Sequence, residues 1–208
     1  PGQVGNALDG RTFGATPRAV ARRAGAFLDG LQAAGVGGCL KHFPGLGAAG
    51  EDTHLEPARI ALGERELAAD LAPFAALAGR ADAVLVGHAI YPALDAEARP
   101  ATLSSALCGH WLRRRLGYRG ALLSDDLEMG ALAPWGDLPA RGREALAAGC
   151  DGLLFCRRLE MAPEIARGLG AARWDSRRQA AESRLERLRR GLRRRGAAAP
   201  PPPTLARI

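Results

Sequence analysis

The chain has 208 residues, of which 47% are hydrophobic and 25% charged, with a formal net charge of +7. That balance fits a folded domain with a sizeable core and excludes a fibrous or largely disordered chain. Charges, glycines or prolines interrupt every apolar run short of the roughly 18–20 residues a spanning helix needs, which excludes a membrane-spanning helix.

Pro1 is followed by no basic-then-apolar leader, so nothing reads as a signal or transit peptide, and a start at Pro rather than Met predicts further chain upstream. Helical spacing begins at residue 17, with Val20, Ala24, Phe27, Leu28 and Leu31 on one stripe and Thr16-Pro17 as cap and first turn. After Gly35 to Gly38, a short apolar run ends in Leu40-Lys41-His42-Phe43, and a loop follows from Pro44 to about Leu62. The spacing then predicts a helix over 64–78, a strand over 83–86, a helix over 104–116, a strand over 120–123, a helix over 138–148 and a strand over 152–155. Two helical stretches close the chain, near 162–168 and 176–195.

Short, continuously apolar strands separated by helices mark a parallel sheet covered on both faces, and so an α/β fold. Four strands are half the eight of a closed β/α barrel, which takes about 250 residues. In such sheets functional groups gather at the carboxyl ends of the strands. Those ends carry Lys41 and His42, then His88, then Ser124, Asp125 and Asp126, then Cys156 and Arg157, while the strand interiors are aliphatic.

Two segments concentrate the chemistry. Lys41-His42-Phe43-Pro44-Gly45-Leu46-Gly47 runs on to Asp52-Thr53-His54, and a tight turn would set the Asp52 carboxylate against the His54 ring, orienting it as a proton donor and acceptor. A plain surface turn capped by Asp52 reads equally well from spacing alone. Lys41 is the only lysine among 29 basic residues, which suits a place wanting a compact ammonium. In Ser124-Asp125-Asp126-Leu127-Glu128-Met129, one carboxylate after the strand points into the mouth of the sheet as nucleophile or electrostatic stabiliser, and its neighbour caps a helix.

A metal cluster from His42, His54, His88, Asp52 and Asp125 ranks lower, because a lysine and an arginine beside it oppose a cation. No metal and no cofactor is expected, since no phosphate-cradling glycine motif is present. The four cysteines, Cys39, Cys108, Cys150 and Cys156, lack zinc spacing and read as reduced core thiols. From Arg157 onward 14 arginines face five acids, whereas the preceding residues carry 15 basic and 17 acidic groups. The run from Arg184 to Arg195 reads as a solvated helical face in preference to a nucleic-acid surface, because no aromatic residue is interleaved.

Taken together the segments resemble the glycoside hydrolase family 3 β-N-acetylhexosaminidases of bacterial cell-wall recycling. The resemblance rests on Gly10-Arg11-Thr12-Phe13-Gly14, on Lys41-His42-Phe43-Pro44-Gly45 with Asp52-Thr53-His54, on Gly87-His88-Ala89, on Ser124-Asp125-Asp126-Leu127 with Met129, and on Ala148-Gly149-Cys150-Asp151. It implies a (β/α)8 barrel of which only about the last four strand–helix units lie in this chain. Residues 1–175 would be the C-terminal half of the glycosidase barrel, 176–196 an Arg-rich helix, and 197–208 a disordered Pro/Ala-rich tail.

The resemblance further implies that Asp125 is the nucleophile, that His54 paired with Asp52 is the general acid/base, and that Arg11, Lys41 and His42 hold the sugar hydroxyls. His88 is similar to a residue lining the same mouth. Leu46 stands where the family usually has another histidine. The implied activity is a retaining exo-β-N-acetylglucosaminidase acting on peptidoglycan fragments in the cytoplasm, with a GlcNAc-containing muropeptide as its partner molecule and neither a membrane nor nucleic acid. The competing expectations are a phosphorylase or β-glucosidase of the same family, or an inactive truncated product with a basic, nucleic-acid-binding tail.

Overall fold

In the computed structural model, residues 8, 10–49, 57–169 and 175–198 are described. The sequence pattern becomes helix α1 (Pro17–Ala33), strand β1 (Cys39–Phe43), helix α2 (Glu64–Leu77), strand β2 (Ala83–Val86), a 3-10 turn (Ala101–Leu103) leading into a π-wound helix (Ala106–Arg115), strand β3 (Ala121–Asp126), helix α3 (Leu138–Ala148), strand β4 (Gly152–Leu154), helix α4 (Ala162–Gly168) and helix α5 (Asp175–Ala198). Thr16 caps α1 by accepting from the Ala19 amide, with Pro17 in the first turn, as the Thr-Pro pair predicts. Asp137 caps α3 in the same way. Of the disordered tail expected over 197–208, Ala197 and Ala198 instead end helix α5, and the rest lies outside the described residues.

The four strands form one parallel sheet in the order β1-β2-β3-β4, so each crossover leads to the next neighbour, as in half of a closed barrel. Among the described residues β1 pairs only with β2, and β4 only with β3, which leaves two sheet edges. Val84 lies opposite Leu122 and Val86 opposite Ser124, and the face carrying Val84, Val86 and Leu122 packs into the helix-covered core with Phe43, Phe74, Leu107 and Leu112. Strand alternation therefore sends Leu85, Leu123 and Asp125 to the opposite face.

Two predicted elements differ in form. The helix expected over 104–116 winds with i→i+5 hydrogen bonds, such as that from the Leu116 amide to the Trp111 carbonyl. The wider turn lets Leu107, Cys108, Trp111 and Leu112 all reach the interior, and the Trp111 indole locks that register by donating to the Leu94 carbonyl at 3.1 Å. Strand β3 also runs three residues further than the aliphatic run, through Asp126. Its polar end still pairs because the Ser124 hydroxyl oxygen accepts from the Leu154 amide where the β3–β4 register shifts.

Helix α5 shows what the Arg-rich stretch does. Arg177, Arg184 and Arg195 are spaced by two and three helical turns, so they share a face. Arg177 and Arg184 reach one oxygen of Asp151 at 3.1 and 3.0 Å, Arg113 reaches the other at 2.7 Å, and the Asp151 side chain is wholly buried. Arg195 pairs with Asp82, which also accepts from the Gly38 amide and the Gln32 side chain. Burial pushes the Asp82 carboxyl up, but these hydrogen bonds outweigh it and hold its pKa below the usual value. The helix is thus anchored beneath the amino ends of β2 and β4, and Arg187, Arg189, Arg190, Arg193 and Arg194 remain as a solvated face.

The expectation of four core thiols needs correction. All four cysteines are free, but only Cys108 and Cys150 are buried, whereas Cys39 lies exposed on the free edge of β1 and Cys156 on the loop after β4.

Candidate active site

The carboxyl ends of β1, β2 and β3 converge. His42, one residue before the end of β1, places Nε2 3.6 Å from Asp125 Oδ2. A glycine on the neighbouring strand end makes room for this approach, because a Cβ on Gly87 would stand a tight 3.2 Å from the Cβ of His42. Asp125 is held from its own strand, with Oδ1 accepting from the Asp126 amide at 2.9 Å, which leaves Oδ2 turned to His42. Asp126 does not cap a helix as one reading of the Asp-Asp pair expected. Its Oδ1 accepts from the Glu128 amide at 3.1 Å and closes the turn that leaves β3.

Arg11, Lys41 and His42 line one cleft of about 530 Å³, walled by α1, β1 and α2. The loop after β1 is seated on α2. Gly45 has φ of +138°, and a Cβ there would come within 2.7 Å of the Asp70 Cβ, so both conformation and space demand glycine. Tyr91, fully buried, donates its hydroxyl to the Gly45 carbonyl at 2.5 Å and fastens the loop from below. Leu46, where the resemblance expects a histidine, is buried and belongs to the core.

Burial brings the His42 titration down to about 4, against the pull of Asp125 and together with the charges of Lys41 and Arg11. Near neutral pH the ring is therefore uncharged, and Asp125 keeps a polar neighbour in place of a counter-ion. Asp52 and His54 lie outside the described residues.

His88 lies under the mouth. It is 1% exposed, and both ring nitrogens are engaged, Nδ1 with Thr102 Oγ1 at 2.8 Å and Nε2 with the Asp126 carbonyl at 2.9 Å. Of the β4 candidates, Arg157 contributes its amide, which donates to Glu128 at 2.6 Å. Glu128 also accepts from the amide and Nε of Arg158, so its carboxylate clamps the loop after β4 to the turn after β3.

Thr102, Tyr91 and Glu128 carry no role in the sequence reading. Glu128 sits inside the Asp-Asp segment and was within reach of it, whereas Thr102 is 14 residues from His88 and no spacing rule joins them.

A parallel α/β sheet whose first and third strands deliver an imidazole and a carboxylate to one mouth, beside a cleft with two cations, has the make-up of a glycosidase barrel. The glycosyl hydrolase family 3 N-terminal domain matches residues 3–178, and the chain belongs to that family. A β-hexosaminidase of Alkalilimnicola ehrlichii is 42% identical over 168 residues, 80% of this chain and 48% of that protein. The structure of a glycoside hydrolase family 3 β-N-acetylglucosaminidase from Paenibacillus sp. str. FPU-7 superposes with a TM-score of 0.81 at 35% identity, covering 94% of this chain and 38% of that one. The β-N-acetylhexosaminidase from Beutenbergia cavernae gives 0.78 at 28% identity, covering 89% and 55%. The chain spans about half the length of the curated relatives it matches.

Proposed function

We propose that the chain supplies the catalytic C-terminal half of a retaining exo-β-N-acetylglucosaminidase, which releases terminal β-linked N-acetylglucosamine from peptidoglycan fragments in the cytoplasm. The observation that carries this reading is the Asp125 carboxylate at the end of β3, with Oδ2 facing His42 beside the cleft that holds Arg11 and Lys41.

The chemistry is a double displacement. His54, oriented by Asp52, protonates the glycosidic oxygen as Asp125 attacks the anomeric carbon, so the bond to the leaving group breaks while a glycosyl ester forms. His54 then takes a proton from water, whose oxygen displaces Asp125 and restores the β configuration. Arg11, Lys41 and His42 hold the sugar hydroxyls, and the uncharged His42 ring leaves the negative charge of Asp125 available to the developing oxocarbenium ion.

The test is release of nitrophenol from a chromogenic β-N-acetylglucosaminide by the chain and its Asp125→Ala variant, each also assayed fused behind the first four strand–helix units of a family relative. Release that falls at least a thousandfold in the variant, with azide restoring turnover as the α-glycosyl azide, is expected. Equal release by both, or none from any wild-type form, overturns the reading.

A further inference from the structure

Four consecutive contacts run from the core to the proposed nucleophile. The amide of Thr102 donates to the Gly87 carbonyl at 3.1 Å, and its hydroxyl lies 2.6 and 3.1 Å from the carbonyls of Gly87 and Val86. The Cys150 thiol donates to the Thr102 carbonyl, and the Cys108 thiol to that of Ala101, so the turn is stapled on both sides. From this fixed point Thr102 Oγ1 meets His88 Nδ1. A carbonyl oxygen only accepts, so the contact of His88 Nε2 with Asp126 requires the hydrogen on Nε2. The amide of that same Asp126 donates to Asp125 Oδ1.

We propose that His88, oriented by Thr102, is a positioning residue: by holding the Asp126 peptide at its carbonyl it sets where the Asp126 amide stands, and hence where the Asp125 carboxylate stands. The ring has no nitrogen left for a sugar and does not touch substrate. A histidine that merely filled the core would need no such coupling, and replacing it would lower stability without moving Asp125. The role in catalysis rests on the reading of Asp125 as nucleophile; the geometric coupling does not.

His42 reports the position of Asp125 without substrate, because the carboxylate raises its titration while burial and the charges of Lys41, Arg11 and His88 lower it. The groups facing His88 itself are Asp125, Asp126 and Arg141. The experiment is an NMR titration of the four histidine rings in the isotope-labelled chain, wild type beside Thr102→Val, Thr102→Ser and His88→Phe. Thr102→Val removes the hydroxyl at constant shape, and His88→Phe removes the donor to Asp126.

In both, Asp125 withdraws and the His42 midpoint moves down by about half a pH unit or more. Thr102→Ser keeps the wild-type midpoint. Loss of charge at His88 alone would move His42 upward, so the direction identifies the cause. A His42 midpoint unchanged or raised in whichever of Thr102→Val and His88→Phe unfolds cooperatively overturns the proposal and leaves the hydrolase reading standing. In the active form, kcat is expected to fall ten- to a hundredfold in Thr102→Val with KM within twofold. No turnover by any wild-type form strikes the hydrolase reading and not the coupling.

Discussion

The His42 ring and the Asp125 carboxylate face each other at 3.6 Å across two strand ends that are separated in the sheet by β2. Gly87 follows the last residue of β2, and a Cβ there would stand 3.2 Å from the Cβ of His42.

The buried ring makes stability depend on pH. His42 titrates near 4 in the folded chain and near 6.5 when unfolded, so between those values the unfolded state binds more protons. Its contribution is fully present above about pH 6.5 and is lost as pH falls toward 4. Urea unfolding of wild type and His42→Gln at several pH values is expected to show the steeper fall in the wild type across this window, by on the order of 2 kcal/mol. Parallel profiles would show that the ring does not carry the dependence.

Gly87→Ala tests the gap between the strand ends. The new Cβ meets the His42 Cβ at 3.2 Å, so the imidazole must give way by a few tenths of an ångström. A stability loss of about 1–2 kcal/mol is expected, with turnover of the active form reduced about tenfold because the displaced ring is a proposed sugar contact. Thermal unfolding and steady-state rates measured on one preparation check both, and an unaltered rate would remove His42 from the substrate site.

Asp151 anchors three arginines from two separate elements, and its side chain has no exposure to water. Asp151→Ala leaves those guanidinium groups half-buried without their shared partner and also removes the acceptor for the Leu122 amide. A loss of about 3–5 kcal/mol is expected, measured by urea unfolding. Arg187→Ala, on the solvated face of α5, is expected to change stability by less than about 0.5 kcal/mol; equal losses from the two substitutions would contradict the division of α5 into an anchoring and a solvated face.

Much of the fold was legible because its signals are local. Apolar runs at 83–86 and 152–155, the Thr16-Pro17 cap and the stripe on α1 each depend on residues within a few positions. The polar end of β3 was not, since Ser124-Asp125-Asp126 has no strand periodicity and is drawn into the sheet by Ser124 meeting an amide of β4. The π winding was hidden for a similar reason, as Trp111 finds Leu94 from another part of the chain. Within the candidate site, strand-end position singled out Lys41, His42 and Asp125, and the structure brings His42 against Asp125 and beside Lys41 in one cleft. The place of His88 beneath the mouth depended on Thr102 and on the Asp126 carbonyl, neither of which a pattern of residue types reveals.

The sequence by itself determined an α/β chain with parallel strands, the strand ends where chemistry gathers, and the motifs that mark the family, because hydrophobic period and strand alternation act over short distances. Only the tertiary structure decided that the arginines of α5 turn inward to Asp151 and Asp82, and that His42 is uncharged near neutral pH. It alone also decided that both ring nitrogens of His88 meet protein partners, Thr102 and the Asp126 carbonyl. Each of those depends on burial and on partners far apart in the chain, and a buried charge or ring takes its state from what surrounds it in space.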